Sequence, residues 1–221
     1  MPEIFAISDT HLPVEIQCRK FNAPLDYFDR ISNHLNRIDP DLLLIAGDLV
    51  WGSDISKIKK ELNLLRELPG EQKIFIEGNH DEWVDHLNTK YSESQETLYE
   101  EFSSPNFYYI GGRASIISLG SQRIGLCGAR GFIDDPYEIP IDDKSLFRKN
   151  ELASLKRSLL ELKRLTRTTE TMLNICLMHY PPTTSVLGKH QIEGEEFFQC
   201  ILDAELIDTV IFGHIHTDEN L

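Results

Sequence analysis

The chain has 221 residues, 41% of them hydrophobic, and a formal net charge of −14 at pH 7, which is enough chain for one large globular domain with a sizeable core. The acidic charge argues against a general nucleic-acid binder, which needs a basic face, but not against a phosphorylated substrate, because bound cations often dominate the charge of a site. No stretch approaches the roughly 20 apolar residues of a membrane span, and the N-terminus lacks the pattern of a signal peptide, so we expect a cytoplasmic protein without a membrane partner.

Short apolar runs alternate with amphipathic stretches along the chain. The predicted strands, in chain order, are Ile4–Ser8, Leu42–Ala46, Lys73–Glu77, Phe107–Ile110, Ser115–Leu119, Arg123–Cys127, Met172–Met178 and Thr209–Phe212. The predicted helices between them are Leu25–Ile38, Ile55–Leu68, Gln95–Phe102, Leu146–Arg167 and Glu195–Asp203. This alternation of strands and helices is typical of an α/β fold.

The three strands in the middle of the chain follow one another through short turns at Gly111-Gly112 and Gly120-Ser121. This spacing predicts an antiparallel meander. Two sheets that pack face to face, with helices outside them, would bury both the strands and the helices. We therefore predict one domain over residues 1–221, built as a four-layer α/β/β/α sandwich of two mixed β-sheets.

Polar residues directly follow five of the predicted strands. The five groups are Asp9-Thr10-His11, Gly47-Asp48, Gly78-Asn79-His80-Asp81, His179-Tyr180-Pro181-Pro182 and Gly213-His214-Ile215-His216. Taken singly, each is as consistent with a turn or a helix cap. If the core strands are parallel, however, all five groups meet at the edge where α/β sheets bind ligands. Crowded polar groups of this kind are costly to bury without cations, and their mixture of carboxylate, amide and imidazole suits Mn, Fe, Zn or Co.

In this order, the five groups resemble the motif blocks of the calcineurin-like metallophosphoesterase superfamily, which read D-x-H, G-D, G-N-H-D, H and G-H-x-H. The resemblance extends from Asp9 to His216, nearly the whole chain. It implies a metal-dependent phosphohydrolase that cleaves a phosphomonoester or phosphodiester by attack of a metal-bridging hydroxide. Family members usually continue into further strands, whereas five residues follow His216 here, so either the sheet closes otherwise or the C-terminal end is truncated.

The resemblance also implies a role for each motif residue. Two divalent ions, with Mn favoured, would be held at the first site by Asp9, His11 and His216 and at the second site by Asn79, His179 and His214. Asp48 would bridge the two ions. His80 would contact the substrate phosphate and assist the leaving oxygen, and Asp81 would orient it. Adjacent residues in extended chain point to opposite sides, so Asn79 and His80 should not face the same metal.

The loops beside the motifs are predicted to set specificity. Arg130, in the turn Gly128–Gly131, is placed to fork onto a phosphate, and His190 is a second candidate substrate contact. Further candidates in these loops are Trp51, Trp83, His86, Phe132 and the stretch Gly188–Gln191. For each of them the alternative is a solvated loop residue.

The expected partner is a small phosphorylated substrate, with monoesters, diesters and pyrophosphates all left open and no oligomeric state indicated. Two other functions compete with this one. A nuclease-type phosphodiesterase is disfavoured by the acidic charge. A non-catalytic scaffold for protein partners is disfavoured because the catalytic histidine and every ligand position are present.

Overall fold

The computed structural model describes residues 1–51, 55–81, 103–133, 144–187 and 194–215. Several of the sequence predictions fall outside those ranges, namely Trp83, His86, the stretch Gly188–Gln191 with His190, His216 and the helix Gln95–Phe102.

Strands and helices alternate within the described ranges, as predicted. The strands are β1 (Ile4–Ile7), β2 (Leu42–Ala46), β3 (Gln72–Ile76), β4 (Phe107–Tyr109), β5 (Ala114–Leu119), β6 (Gln122–Ala129), β7 (Leu173–Met178) and β8 (Thr209–Ile211). The helices are α1 (Val14–Phe21), α2 (Tyr27–Ile38), α3 (Ile55–Arg66), α4 (Lys144–Thr166) and α5 (Glu195–Ala204), with a 3-10 turn at Thr184–Leu187. The predicted bounds agree to within two residues, but α1 was not predicted, because eight residues after Pro13 are too few to show a clear helical period.

Two four-stranded sheets form the centre of the fold, and they confirm the predicted α/β sandwich. The first has the order β1-β2-β3-β4, and its described strands are all parallel, although a mixed sheet was predicted. In the second, of order β5-β6-β7-β8, only the β5–β6 pair is antiparallel. The parallel strands therefore bring their carboxyl ends to a common edge of each sheet, which is the condition that the five polar groups required.

The predicted antiparallel meander is wrong, because β4 belongs to the other sheet. Strand β4 pairs in parallel with β3, with Lys73 opposite Phe107, and only β5 and β6 form a hairpin. At Gly112, whose φ is +66°, the chain leaves the first sheet, and the amide of this residue donates to the carbonyl of Gly128 in the second sheet at 2.9 Å. The glycine pair thus marks a crossover between sheets, and a local turn signal cannot distinguish this from a hairpin.

Three apolar layers hold the sandwich together. Between the sheets, Leu42, Leu44 and Ile76 pack with the second sheet's Leu126, Ile175 and Leu177. The outer layers lie under the helices, with Leu43, Ile45 and Phe75 against Leu35 and Leu62 on one side, and Cys127, Cys176 and Met178 against Leu155 and Phe197 on the other. Both faces of the central strands are thereby buried, which explains why β2 is an unbroken apolar run. In the described part of the chain, no helix combines the length and apolar character needed to cross a bilayer.

Candidate metal centre

Three residues from the ends of β1 and β2 form a first ligand group. Asp9, His11 and Asp48 each offer one ligand atom, and these atoms all lie within 4.8 Å of one another. The Nε2 atom of His11 is 3.8 Å from Oδ1 of Asp9 and 3.5 Å from Oδ2 of Asp48. His11 and Asp48 are buried, whereas Asp9 is half-buried. Two carboxylates and an imidazole converging in this way form a candidate cation site.

A second group forms around the side-chain oxygen of Asn79. Its Oδ1 atom lies 2.7 Å from Nε2 of His179 and 3.1 Å from Nδ1 of His214. These three residues follow β3, β7 and β8, so this group joins the two sheets. The backbone amide of His214 also donates to Oδ2 of Asp9 at 3.1 Å, which connects the second group to the first.

Asp48, a member of the first group, also reaches the second group. Its Oδ2 atom is 3.5 Å from Nε2 of His11, and its Oδ1 atom is 3.5 Å from Nε2 of His179. Oδ1 also accepts a hydrogen bond of 2.8 Å from the backbone amide of His80. One carboxylate therefore reaches both groups with different oxygens.

The backbone at the site is held in conformations that few residues adopt. Asp9, His11, Asp48 and His214 have φ values of +56°, +43°, +51° and +67°. They are four of the seven non-glycine residues with positive φ in the described ranges. Such backbone persists only where the surrounding structure fixes it, and it concentrates at functional sites.

Two glycines allow the loops to approach closely. A Cβ atom at Gly78 would lie 2.1 Å from Oδ1 of Asp48, and one at Gly47 would lie 2.5 Å from Nδ1 of His179. Gly47 also has a φ of +88°, which disfavours any side chain. At both positions a side chain would collide with a candidate ligand residue.

The ring of His80 packs against aromatic rings beside the first group. It stacks on Trp51, with ring centroids 4.3 Å apart and planes at 12°, and meets His11 edge-on at 5.3 Å. The indole Nε1 of Trp51 donates to Nδ1 of His11. The ammonium of Lys20 lies 3.6 Å from the centre of the Trp51 ring, a cation–π contact. His80 thus lies beside the first group, in contact with Trp51 and His11, and Lys20 lies over the same indole ring.

A family model for calcineurin-like phosphoesterases matches residues 2–218. The chain belongs to the calcineurin-like phosphoesterase family. This confirms the resemblance seen in the sequence motifs, and it supports a metal-dependent phosphoester hydrolase in general terms. No match was found among curated proteins.

Solved structures with a similar fold include a protein of unknown function from Aquifex aeolicus, which is 23% identical, with a TM-score of 0.33 and coverage of 80% of each chain. A hypothetical protein from Thermus thermophilus is 20% identical, with a TM-score of 0.46 over 86% of this chain and 63% of that one. The sulfate thiohydrolase SoxB of the same organism, in complex with glycerol, is 14% identical, with a TM-score of 0.43 over 85% of this chain and 33% of that one. These scores are too low for any of the three to inform the site.

The family implies divalent metal ions, and the donors present fit them. A neutral imidazole carries one N–H, yet the two ring nitrogens of His179 face two oxygens, the carbonyl of Ala46 at 2.9 Å and Oδ1 of Asn79 at 2.7 Å. Protonating both nitrogens is disfavoured because burial lowers the pKa of His179. With the proton on Nδ1, toward Ala46, the Nε2 and Asn79 lone pairs face each other. With the Asn79 oxygen facing Nε2, a cation bound to both atoms would use these two lone pairs.

The carboxylate of Asp81 contacts backbone amides and not the ring of His80. Oδ1 accepts from the amides of Leu49 and Val50 at 3.0 and 2.9 Å, and Oδ2 accepts from the amide of Gly78 at 2.7 Å. Asp81 therefore ties the loop after β3 to the loop after β2. Burial, followed by the charge of Asp48, raises the pKa of Asp81 to about 8 against the lowering effect of these amides. The orienting role that the resemblance implies for Asp81 stays a prediction.

Arg130 lies in the interior, although the sequence indicated a flexible turn. It is 2% exposed, and its Nε atom is 3.3 Å from Oε1 of Glu151, which is fully buried on α4. Glu151 was missed from the sequence. The signal for it is a charged residue in the buried stripe of α4 that continues through Leu155 and Leu159. Of the other substrate-loop candidates, Phe132 is buried in the layer under α4, against Phe147 at 5.7 Å.

Proposed function

We propose that this protein hydrolyses a phosphomonoester or phosphodiester of a small substrate in the cytoplasm, using two divalent cations, with Mn²⁺ favoured. The observation that carries the proposal is the position of Asp48, whose two oxygens each lie 3.5 Å from an imidazole of a different ligand group. A carboxylate so placed suits a bridge between two ions. Paired ions in such sites lie about 3.5–4 Å apart.

Each ligand group would hold one cation. Asp9 and His11, with His216, would hold the first, and Asn79, His179 and His214 would hold the second. When bound, the cations would supply an activated water at neutral pH and neutralise charge on the phosphoryl oxygens. The protein's own contribution is to fix these donors on rigid strand ends, so that the phosphate is oriented for in-line attack.

His80 is proposed to protonate the leaving oxygen. Its backbone amide is held by Oδ1 of Asp48 at 2.8 Å, and its ring is fixed by Trp51, so the imidazole is positioned without being used as a ligand. A positioned imidazole in proton transfer is typically worth about 10²–10⁴-fold in rate. The effect should be largest for esters with poor leaving groups, since these need the most help from an acid.

The substrate class is tested by assaying a chromogenic monoester, a diester and a cyclic nucleotide side by side with added Mn²⁺. Activity on any of the three supports a phosphoesterase, and the preferred one identifies the ester class. Metal-dependent cleavage of long nucleic acids in preference to all three would favour the nuclease-type alternative. No turnover of any ester by fully metal-loaded protein would contradict the proposal.

The role of His80 is tested by His80→Ala, with His34→Ala as the matched control. His34 lies on α2 with its ring 5.8 Å from Phe5, so its loss removes an imidazole away from the site. We expect His80→Ala to bind both ions and to lose kcat, more for poor leaving groups than for good ones. Loss of an ion, or wild-type turnover of poor-leaving-group esters, would show that the assignment is wrong.

A further inference from the structure

Arg130 connects the two loops that carry the second ligand group. Its backbone carbonyl accepts the amides of His179 and Tyr180 at 3.1 and 2.9 Å. Its guanidinium donates through Nη1 to the carbonyl of Gly78 at 3.3 Å, one residue before Asn79. Arg130, which directly follows β6, thus bonds to the loop after β7 and to the loop after β3.

The guanidinium is itself fixed from α4. Its Nε atom pairs with Oε1 of Glu151, and Oε2 of the same carboxylate accepts the amide of Gly131 at 3.1 Å. The aromatic face of Phe147 lies 4.4 Å from Cζ of Arg130. Both members of the ion pair are buried, at 2% and 0% exposure, so the pair is shielded from solvent screening and its geometry is rigid.

We propose that Arg130, held by Glu151, is a positioning residue for the second cation. It sets the separation of Asn79 and His179, the two ligands whose atoms lie 2.7 Å apart across the sheets. Asp81 ties the loop after β3 to the loop after β2, whereas Arg130 ties the loop after β3 to the loop that carries His179. Removing Arg130 should therefore lower the affinity for the second cation and not the affinity for the first. This inference rests on the proposed two-cation function.

The alternative roles give different outcomes. A substrate contact would change KM and leave metal affinity unaltered. A purely structural ion pair would lower the free energy of unfolding and leave the ratio of the two metal affinities unaltered. A positioning residue for the second cation changes that ratio.

The test is a Mn²⁺ titration of the metal-free protein by calorimetry, with the double variant Arg130→Met/Glu151→Gln. The double change leaves neither charge stranded in the interior, which avoids the large penalty of breaking a buried pair from one side. Outer-sphere partners of ligands typically contribute about 10–100-fold to metal affinity, so we expect one affinity to fall by that factor and the other to stay within about twofold. The variant Asn79→Ala identifies which affinity belongs to the second site.

A matched control is another Arg–Glu pair that involves α4, which joins Arg148 of α4 to Glu196 of α5 and is partly exposed. Its neutralisation in Arg148→Met/Glu196→Gln should leave both affinities within about twofold of wild type, as pairs at the surface contribute little. If the first double variant does not fold, Arg130→Lys replaces it. A lysine keeps the charge beside Glu151 but lacks the fork, so it cannot reach Gly78 as well.

Equal weakening of both sites, or an unchanged affinity at the site that Asn79→Ala weakens, would overturn the role of Arg130. The wild-type stoichiometry separately tests the two-cation proposal. If the wild type binds a single ion, the two-cation proposal fails. The role of Arg130 is then decided by whether the double variant and Asn79→Ala both lower the affinity for that ion.

Discussion

Gly78→Ala tests whether the close approach of two loops creates the site. A Cβ atom at this position would lie 2.1 Å from Oδ1 of Asp48 and 2.2 Å from its backbone nitrogen. Because one of these atoms belongs to the backbone, rotation of the Asp48 side chain cannot relieve the overlap. The loop after β3 must therefore move away from Asp48 by nearly 1 Å to reach the 3.0 Å that real Cβ contacts respect.

The displacement has a calculable effect on both stability and activity. Overpacking of this kind typically costs about 1–3 kcal/mol in the free energy of unfolding. A shift of nearly 1 Å would also lengthen the 2.8 Å bond between the amide of His80 and Asp48 beyond hydrogen-bonding distance. A misplacement of about 1 Å at a catalytic constellation costs on the order of 10²-fold, so kcat/KM should fall by that factor.

Gly120→Ala is the matched control, since it makes the same chemical change without the collision. A Cβ atom there meets nothing within 4 Å, but the φ of +60° makes alanine strained. We expect a comparable loss of about 1–2 kcal/mol from that strain alone, with wild-type kcat/KM. Stability is read from urea denaturation and activity from the preferred chromogenic ester. Wild-type activity of Gly78→Ala, or an equal loss of activity in Gly120→Ala, would refute the reasoning.

The same geometry leads to three further predictions. Asp48→Ala should weaken both Mn²⁺ affinities, whereas His11→Ala should weaken mainly one, as measured by titration of each variant. The pKa of Asp81 in the folded protein, about 8, lies above its ordinary 3.8, so the folded state binds a proton that the unfolded state releases between these values. The free energy of unfolding of the metal-free protein should therefore fall as pH rises from about 4 to about 8. Thermal melts of Asp81→Asn should lack this fall. The indole N–H of Trp51 can only donate, and its acceptor is Nδ1 of His11. A cation at Nε2 of His11 would place the imidazole proton on Nδ1, so the indole would lose this acceptor. Mn²⁺ should therefore change the tryptophan fluorescence, and Trp51→Phe should abolish that change.

The sequence alone was sufficient to locate the strands that carry the site. Runs such as Leu42–Ala46 are short and apolar and end at a glycine, so the signal for them is local in the sequence. The ligand candidates were equally visible, because Asp9 directly follows such a run, and Asp48 and Asn79 follow one after a single glycine. The carboxyl ends of parallel strands share an edge, so the sequence predicted that these residues would meet if the core strands are parallel, and the strand pairing meets that condition.

Tertiary structure decided everything that depends on partners distant in the chain. The turn signal at Gly111-Gly112 reads the same whether the chain reverses or changes sheet, and only the pairing of β4 with β3 distinguishes the two. Arg130 has a polar side chain in a glycine-rich segment, which indicates a solvated turn until Glu151, 21 residues further on, is seen beside it. The contacts of Asp81 with Leu49 and Val50 span about 30 residues. No local pattern encodes such pairs, because each is created by the packing of separate elements and not by the preference of either residue.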